Sequence, residues 1–156
     1  NDMIETFYKK FPKVAQFVKN NTKEACKQGY VEMILGDIVR KRRLPFFRGQ
    51  NPNRVYDTYS TNAKIQGTAA IQTKMCMIEG DNLCKELSRP GRTFGLLACV
   101  HDELLFRVPK DITREEVALF EAIMTDTVKL NNIPSATDGE LGNCWGDLTP
   151  VKFFYK

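Results

Sequence analysis

The sequence predicts an α+β fold in which helices pack on a small antiparallel sheet. In residues 2–29 apolar side chains recur at helical spacing, and in residues 54–66 polar side chains recur every four residues. Two apolar runs between residues 93 and 108 meet at a polar break and predict a β-hairpin. The order of helices, strand, helix, hairpin, helix and tail is typical of this class.

The first third of the chain predicts two helices, a strand and a loop. Residues 2–29 hold the helices, because Pro12 suits the first turn of the second one and Gly29 suits its left-handed cap. Residues 30–36 alternate and predict a strand. Residues 37–53 combine a basic run with Pro and Gly, so we expect a loop there.

The middle of the chain predicts one long helix and the hairpin. The helix runs from about residue 54 to residue 87, and SRPGR (88–92) predicts a turn. Residues 93–108 predict two strands that meet around residues 101–103. Both faces of the first strand are apolar, so we expect that strand to be buried.

The last third predicts a helix and an irregular tail. Thr113 and Glu116 form a capping box that begins a helix ending at about Leu130. Residues 133–156 are Gly-rich, and we expect irregular structure there with Trp145 as an anchor.

Length and composition fit a single domain over residues 1–156, with a net charge of +4 that suits an anionic partner without requiring one. Five cysteines without a Cys-x-x-Cys pair, and a single histidine, argue against a disulfide framework and a structural zinc site. We therefore expect a reducing, cytoplasmic setting.

No apolar run approaches the ~18 residues of a membrane span, and no signal peptide opens the chain. Because the first residue is Asn1, we expect a piece of a longer protein.

Basic residues cluster in the predicted loop. Residues 40–43 read Arg-Lys-Arg-Arg, and Arg48 and Arg54 follow. Such a run is compatible with a solvated loop and also with a surface for a polyanion.

The segment ACVHDELLF (98–106) places His101, Asp102 and Glu103 inside an otherwise apolar run, at the predicted hairpin turn. One interpretation is a tight turn with solvated charges. The other is that the hairpin holds Asp102 as a ligand for Mg²⁺, which takes one or two carboxylates plus substrate phosphates. Two-metal phosphoryl transfer uses carboxylates in this way, but it needs at least one more from elsewhere. The sequence has no Gly-x-Ser-x-Gly elbow and no Gly-rich loop with Lys-Ser/Thr, which argues against a serine hydrolase and a P-loop protein.

A polar stripe follows the predicted long helix. Arg54, Thr58, Asn62 and Gln66 are spaced by four and so share one side of it. The side is either merely solvated or it touches a ligand. Asn is a weaker helix former than Glu or Lys, and an amide donor can bind the acceptors that every base pair presents in the minor groove.

Five blocks of the sequence carry a family resemblance. They are FPKVAQFVKNNTKEACKQGYVEMILG (11–36), RRLP (42–45), NAKIQGTAA (62–70), ACVHDELLFRVP (98–109) and DGELGNCW (138–145). In this order they resemble the C-terminal part of family A DNA polymerases, the group of bacterial polymerase I and many phage replicative polymerases. The fourth block resembles motif C, and the resemblance implies the palm of a right-hand polymerase.

The resemblance implies roles for the residues at the predicted turn. Asp102 would be the motif C metal ligand, Glu103 the second acidic residue near the metals, and His101 a contact to the primer end. The whole enzyme would add deoxynucleotides from deoxynucleoside triphosphates to a primer 3′ end, using Mg²⁺ and releasing pyrophosphate.

The resemblance also implies contacts with primer–template DNA. Gln66 and Asn62 would touch the minor groove and template side of the new pair. Arg42 and Arg43 would touch the DNA backbone, which positions a duplex without specifying sequence. Family members often carry Arg at the position of Thr58, and we expect Arg54, one turn earlier, to substitute for it.

Two further departures from the family pattern are visible. Many relatives carry Asp where this chain has Ile71, and GDIVRKRRLP (36–45) is longer than the compact basic loop of bacterial relatives. These departures favour a phage enzyme.

The sequence lacks a segment resembling motif A, which reads Asp-Tyr-Ser-Gln-Ile-Glu in the family, and it lacks the fingers helix. One carboxylate site cannot clamp two metals, so we expect these 156 residues to be inactive alone and to need the remainder of the polymerase, in cis or in trans. We also expect an uncovered apolar surface that promotes self-association or binding to a partner chain.

Two other functions remain open. The chain could be a non-catalytic module that binds duplex DNA, with a salt-dependent affinity for primer–template. It could also be a structural domain in which the acidic pair is only a turn, and then Asp102→Ala would be harmless.

Overall fold

The computed structural model describes residues 2–44, 52–129 and 133–154, and it describes side chains for all of these except residues 2, 52–58, 153 and 154. The helices in the described ranges are α1 (Asp2–Lys10), α2 (Pro12–Gln28), α3 (Pro52–Leu87), α4 (Arg114–Asp126) and α5 (Val151–Phe154). The strands in them are β1 (Tyr30–Leu35), β2 (Ile38–Arg43), β3 (Gly95–Val100), β4 (Glu103–Arg107), β5 (Glu140–Cys144) and β6 (Asp147–Pro150). The strands pair as three antiparallel hairpins, β1–β2, β3–β4 and β5–β6. The predicted α+β class is confirmed.

The chain divides into two compact units, residues 1–69 and residues 70–156, and α3 contributes residues to both. We call them the N-unit and the C-unit. The single domain expected over residues 1–156 stays a prediction. In the described part of the chain, no helix is both long enough and apolar enough to cross a membrane.

The N-unit has its core between α2, β1 and the first half of α3. Ala25, Val31 and Ala63 form the buried cluster, and Leu44 packs against it. Gly29 caps α2 with a φ of 74° and donates its N–H to the Ala25 carbonyl at 2.8 Å, as the sequence predicts.

A close approach between β1 and α3 depends on a glycine. The buried Met33 side chain lies so near Gly67 that a Cβ at residue 67 would overlap Met33 Sδ. The Gly67 position therefore admits the sulfur that a larger residue would exclude.

The loop expected at residues 37–53 is wrong for residues 38–43, which form β2, and for residues 52–53, which begin α3. Strand β2 pairs in register with β1, from Leu35↔Ile38 to Tyr30↔Arg43. Its side chains are basic and mostly exposed, so the strand has no apolar face that alternation could reveal. Residues 45–51 lie outside the described part of the chain.

The C-unit has a core built from α3, α4 and the segments around β3 and β4. The buried cluster comprises Cys84, Phe94, Ile112 and Val117. Phe106 of β4 packs against this cluster, and its ring carbon Cζ lies 2.7 Å from where a Cβ at Gly80 would be. The second half of α3 therefore packs against the core-facing side of the hairpin β3–β4.

The capping box at α4 is confirmed. The Glu116 N–H donates to Thr113 Oγ1 at 3.2 Å, and the Thr113 N–H donates to Glu116 Oε2 at 3.0 Å. The helix ends at Asp126, four residues before the predicted end at Leu130.

The tail is more regular than predicted. Residues 140–150 form the hairpin β5–β6, in which Gly142 is required because a Cβ there would overlap the Asp147 carbonyl oxygen. Trp145 lies at the turn of this hairpin and is 59% exposed, so the expectation that it anchors the tail is wrong. Leu141 and Val151 pack against the C-unit core in its place.

Candidate functional site

The hairpin β3–β4 presents the acidic pair at its turn. Val100 pairs with Glu103, so His101 and Asp102 form a two-residue turn. His101, Asp102 and Glu103 are all exposed. The structure therefore brings the three predicted site residues together at one point of the C-unit, at the end of two hydrogen-bonded strands.

His101 adopts a left-handed backbone with a φ of 56°, and it is the one non-glycine residue in the described ranges with a positive φ. A positive φ at the first turn position alone is the pattern of a type II′ turn, where glycine is usual. A side chain in this conformation costs about 1–2 kcal/mol. Such strain persists where the surrounding structure imposes it, and it is concentrated at functional sites.

The turn is a partial site for a cation. Carboxylate oxygens suit hard divalent cations, and the donors of Asp102 and Glu103 fit that requirement. However, no group of three or more His, Cys, Asp and Glu side chains that could hold a metal occurs within residues 2–44, 52–129 and 133–154. The pair therefore fits a metal only as part of a larger ligand set.

The expectation that the first strand of the hairpin is buried is wrong. Leu97 is 63% exposed and Cys99 is exposed, whereas Leu96, Ala98 and Val100 are half-buried. A bulge between Leu96 and Ala98 interrupts the register there. One face of β3 is thus uncovered in the part of the chain that the structure describes.

The polar stripe of α3 lies on the N-unit. Asn62 and Gln66 are both exposed, while Ala63 is buried in the core between them. The two amides therefore lie on the outer side of the helix, one turn apart. Arg54 and Thr58 belong to the same helix, but their side chains are outside the described part, so the expected substitution of Arg54 stays a prediction.

Ile71 is buried, at the position where many relatives carry Asp. An apolar side chain is suited to this environment, because a buried carboxylate without a partner would be costly. The departure therefore fits the packing around Ile71.

The basic strand β2 presents its side chains on two faces. Arg42 lies opposite the buried Val31, and Arg43 lies opposite Tyr30, so Arg42 and Arg43 point to opposite sides of the ribbon. Lys41 is engaged within the hairpin: its ammonium lies 3.3 Å from Glu32 and 4.9 Å from the ring centroid of Tyr30. The hydrogen bond to Glu32 raises the pKa of Lys41.

Arginines 40, 42 and 43 have no carboxylate within ion-pair distance in the described part of the chain. These guanidinium groups therefore remain available for an anionic ligand, whereas Lys41 is held by Glu32.

Charge is divided between the two units, a feature that sequence reasoning missed. Residues 1–69 contain thirteen Lys and Arg against six Asp and Glu, a net charge of +7, and residues 70–156 contain ten against thirteen, a net charge of −3. The overall value of +4 conceals this difference. A count by segment would have revealed it, together with the row of Lys19, Lys23 and Lys27 at four-residue spacing on α2.

Comparison with known proteins identifies the family. Residues 1–147 match the family described as DNA polymerase family A. The chain belongs to this family. The resemblance that the five sequence blocks carry is thereby confirmed.

Curated relatives and a solved structure agree with this assignment. The chain is 32% identical over 148 residues to DNA polymerase I of Bacillus caldotenax, and this match covers 94% of the chain and 16% of that protein. It is 27% identical over 150 residues to DNA polymerase I of Chloroflexus aurantiacus, and this match covers 96% of the chain and 15% of that protein. It is 31% identical over 144 residues to the thermostable DNA polymerase I of Thermus filiformis, which covers 91% of the chain and 16% of that protein.

The similar solved structure is the POL domain of Pol1 from M. smegmatis in complex with DNA primer-template and dNTP. The TM-score is 0.69 at 29% sequence identity, and the match covers 84% of this chain and 22% of that one. The chain thus spans about a sixth of the length of the curated relatives it matches.

Proposed function

We propose that the chain is the C-terminal palm part of a DNA-directed DNA polymerase. The whole enzyme adds deoxynucleotides to a primer 3′ end on a template strand and releases pyrophosphate. The observation that carries the proposal is the exposed turn of β3–β4, where Asp102 and Glu103 follow the strained His101 within the motif C block. The DNA and dNTP bound to the similar mycobacterial domain support the choice of substrates.

The proposed metal is Mg²⁺. Asp102 is the proposed ligand, and Glu103 lies beside it in sequence at the same turn. When bound, Mg²⁺ stabilises negative charge on the attacking and leaving oxygens of phosphoryl transfer. The other carboxylate comes from a motif A segment, which the 156 residues do not contain.

The remaining proposed roles belong to polar side chains outside the acidic pair. His101, which has a positive φ and directly precedes Asp102, contacts the primer end. The exposed amides of Asn62 and Gln66 donate hydrogen bonds to minor-groove acceptors, which every base pair presents. Arg42, Arg43 and Arg54 bind backbone phosphates and position the duplex.

The proposal makes the isolated 156 residues inactive, because they supply one carboxylate pair and no fingers helix. Activity requires the remainder of the polymerase, in cis or in trans. The proposed setting is the cytoplasm of a bacterial or phage-infected cell.

The test is primer extension by the natural gene product that carries these residues, with Mg²⁺ and all four deoxynucleoside triphosphates. Asp102→Asn removes the charge of the proposed ligand at nearly constant shape and should lower the extension rate by about 10³-fold or more, roughly 4 kcal/mol of transition-state stabilisation. Asp126→Asn is the matched control, since Asp126 is an exposed aspartate at the end of α4. Extension by Asp102→Asn at the rate of the control would refute the proposal.

A second candidate is a non-catalytic module that binds duplex DNA. The +7 charge of residues 1–69 favours it. A natural gene product that binds primer–template with a steep salt dependence but never extends it would select this candidate.

A further inference from the structure

One hydrogen bond at the turn of β3–β4 has no place in the roles proposed above. The Cys99 thiol, near the end of β3, donates to the carbonyl oxygen of His101 at 3.7 Å. This bond joins the strand to the peptide group that directly precedes Asp102. A thiol is a weak donor, so such a bond matters only where little else holds the acceptor.

The peptide group between His101 and Asp102 is the part of the turn that the strand ladder does not hold. In a two-residue hairpin the ladder ends at the pair that flanks the turn, which here is Val100 and Glu103. The peptide between the two turn residues therefore has no cross-strand partner. In the described ranges, the Cys99 thiol is the donor found for the His101 carbonyl.

The orientation of this peptide group decides the type of the turn. Types I′ and II′ differ by a rotation of the central peptide, and φ is positive at both turn residues in type I′ but only at the first in type II′. In this turn His101 has a positive φ and Asp102 does not, which is the type II′ arrangement. Because His101 is not the glycine that type II′ favours, a contact from outside the turn residues is needed to select this orientation.

The same bond restricts where the Asp102 side chain begins. A peptide group is planar, so the carbonyl oxygen of His101 and the Cα of Asp102 lie in one plane. A donor that holds the oxygen limits rotation of that plane, and it thereby limits the positions that Asp102 can take.

Cysteine suits the place from which this donor acts. Cys99 is exposed and lies opposite Leu104, on the strand that also exposes Leu97. Cysteine behaves as a small apolar residue that retains a weak S–H donor. It therefore tolerates apolar neighbours on β3 and still supplies a hydrogen bond to the turn.

We propose that Cys99 is a positioning residue for Asp102, the proposed metal ligand. Its thiol holds the His101 carbonyl, which keeps the turn in the type II′ form and fixes the peptide from which Asp102 projects. The consequence for catalysis rests on the proposed polymerase function, whereas the consequence for the turn does not.

The first test measures the turn without metal or DNA. Amide relaxation of the 156-residue chain, in EDTA and a reducing buffer, gives the order parameter S² of the Asp102 N–H. Cys99→Ala should lower S² from about 0.85, the value of rigid backbone, to about 0.6, or should produce slower exchange that relaxation dispersion detects. Cys144→Ala is the matched control, because Cys144 is also exposed and also directly precedes a two-residue turn, that of β5–β6. An Asp102 N–H that is as rigid in Cys99→Ala as in the control would overturn the proposal.

The second test is primer extension by the natural gene product. Cys99→Ala should lower kcat about tenfold and leave the KM for deoxynucleoside triphosphates within about twofold, because a misplaced catalytic group costs rate more than substrate binding. Cys99→Ser keeps a hydrogen-bond donor on the same Cβ and should recover most of the rate, and Cys144→Ala should extend normally. Equal losses in Cys99→Ala and Cys99→Ser, or a rise in KM alone, would overturn the proposal.

Urea unfolding of the 156-residue chain separates positioning from loss of the fold. Cys99→Ala and Cys144→Ala should have similar midpoints, because both cysteines are exposed. A clearly lower midpoint for Cys99→Ala would assign the lost rate to unfolding and overturn the proposal. Failure of the polymerase proposal is seen separately, as full activity of Asp102→Asn, since the relaxation measurement on Cys99→Ala needs no catalysis.

Discussion

Arg92 joins the turn before β3 to the first turn of α4. Its guanidinium donates to both carboxylate oxygens of Glu116, at 2.7 and 2.6 Å, and to the Asp111 carboxylate at 3.2 Å. The Arg92 side chain is 11% exposed and Glu116 is 19% exposed, whereas Asp111 is 74% exposed. The pair Arg92–Glu116 is thus the shielded part of this network.

The perturbation is Glu116→Gln. Glutamine keeps an acceptor for the Thr113 N–H and hence the capping box, but it removes the charge that Arg92 faces. The hydrogen bonds from Arg92, followed by the one from the Thr113 N–H, hold the pKa of Glu116 at about 2, against an ordinary value of 4.5. A shift of this size corresponds to at most roughly 3 kcal/mol, and partial solvent screening reduces it to about 1–2 kcal/mol.

The effect depends on pH with a defined sign. Because the pKa of Glu116 is lower in the folded state, its stabilisation is fully present above about pH 4.5 and is lost as the pH falls towards about 2. Glu116→Gln should therefore lower the free energy of unfolding by about 1–2 kcal/mol at pH 7 and lose less stability than the unaltered chain between pH 4.5 and 2.

The assay is urea unfolding of the 156-residue chain, followed by helical circular dichroism at a series of pH values. Asp111→Asn is the control, and it should cost less than about 0.5 kcal/mol because Asp111 is exposed. Equal free energies of unfolding for Glu116→Gln and Asp111→Asn at pH 7 would refute the reasoning. It would also be refuted if the stability of Glu116→Gln changed with pH in parallel with that of the unaltered chain.

Two further substitutions test the close contact in the N-unit and the strained turn. Gly67→Ala should lower the free energy of unfolding by about 1–3 kcal/mol, because the new Cβ overlaps Met33 Sδ. Gly95→Ala is the control and should cost less than about 1 kcal/mol, because the space at that position is open. Urea unfolding compares the two variants. Equal costs would contradict the packing argument. His101→Gly should raise the free energy of unfolding by about 1 kcal/mol, because glycine relieves the left-handed strain. The same substitution should slow primer extension by the natural gene product. A variant that is less stable and fully active would contradict both the strain at His101 and its role at the primer end.

Much of the fold could be predicted because its signals are local. Gly29, Pro12 and the Thr113–Glu116 box mark helix ends by backbone chemistry that acts within a few residues. Strand β2 could not be predicted in this way, since its basic side chains carry no apolar alternation and its partner β1 defines it. Trp145 was misassigned because an aromatic residue usually adds to a core, and only packing shows that Leu141 does so here.

The candidate site was predicted in part because its signal, too, is local in the sequence. An acidic pair at the meeting point of two apolar runs indicates a turn, and the turn is present at His101 and Asp102. The strain at His101 was not foreseeable, because φ is imposed by the pairing of Val100 with Glu103 and not by the residue type. The opposite directions of Arg42 and Arg43 likewise follow from register, which a run of letters does not contain.

The unequal charges of the two units have a kinetic consequence. In the field of a polyanion, residues 1–69 are attracted and residues 70–156 are repelled, so the long-range attraction comes from the N-unit alone. Added salt screens this attraction and should slow association more than it accelerates dissociation.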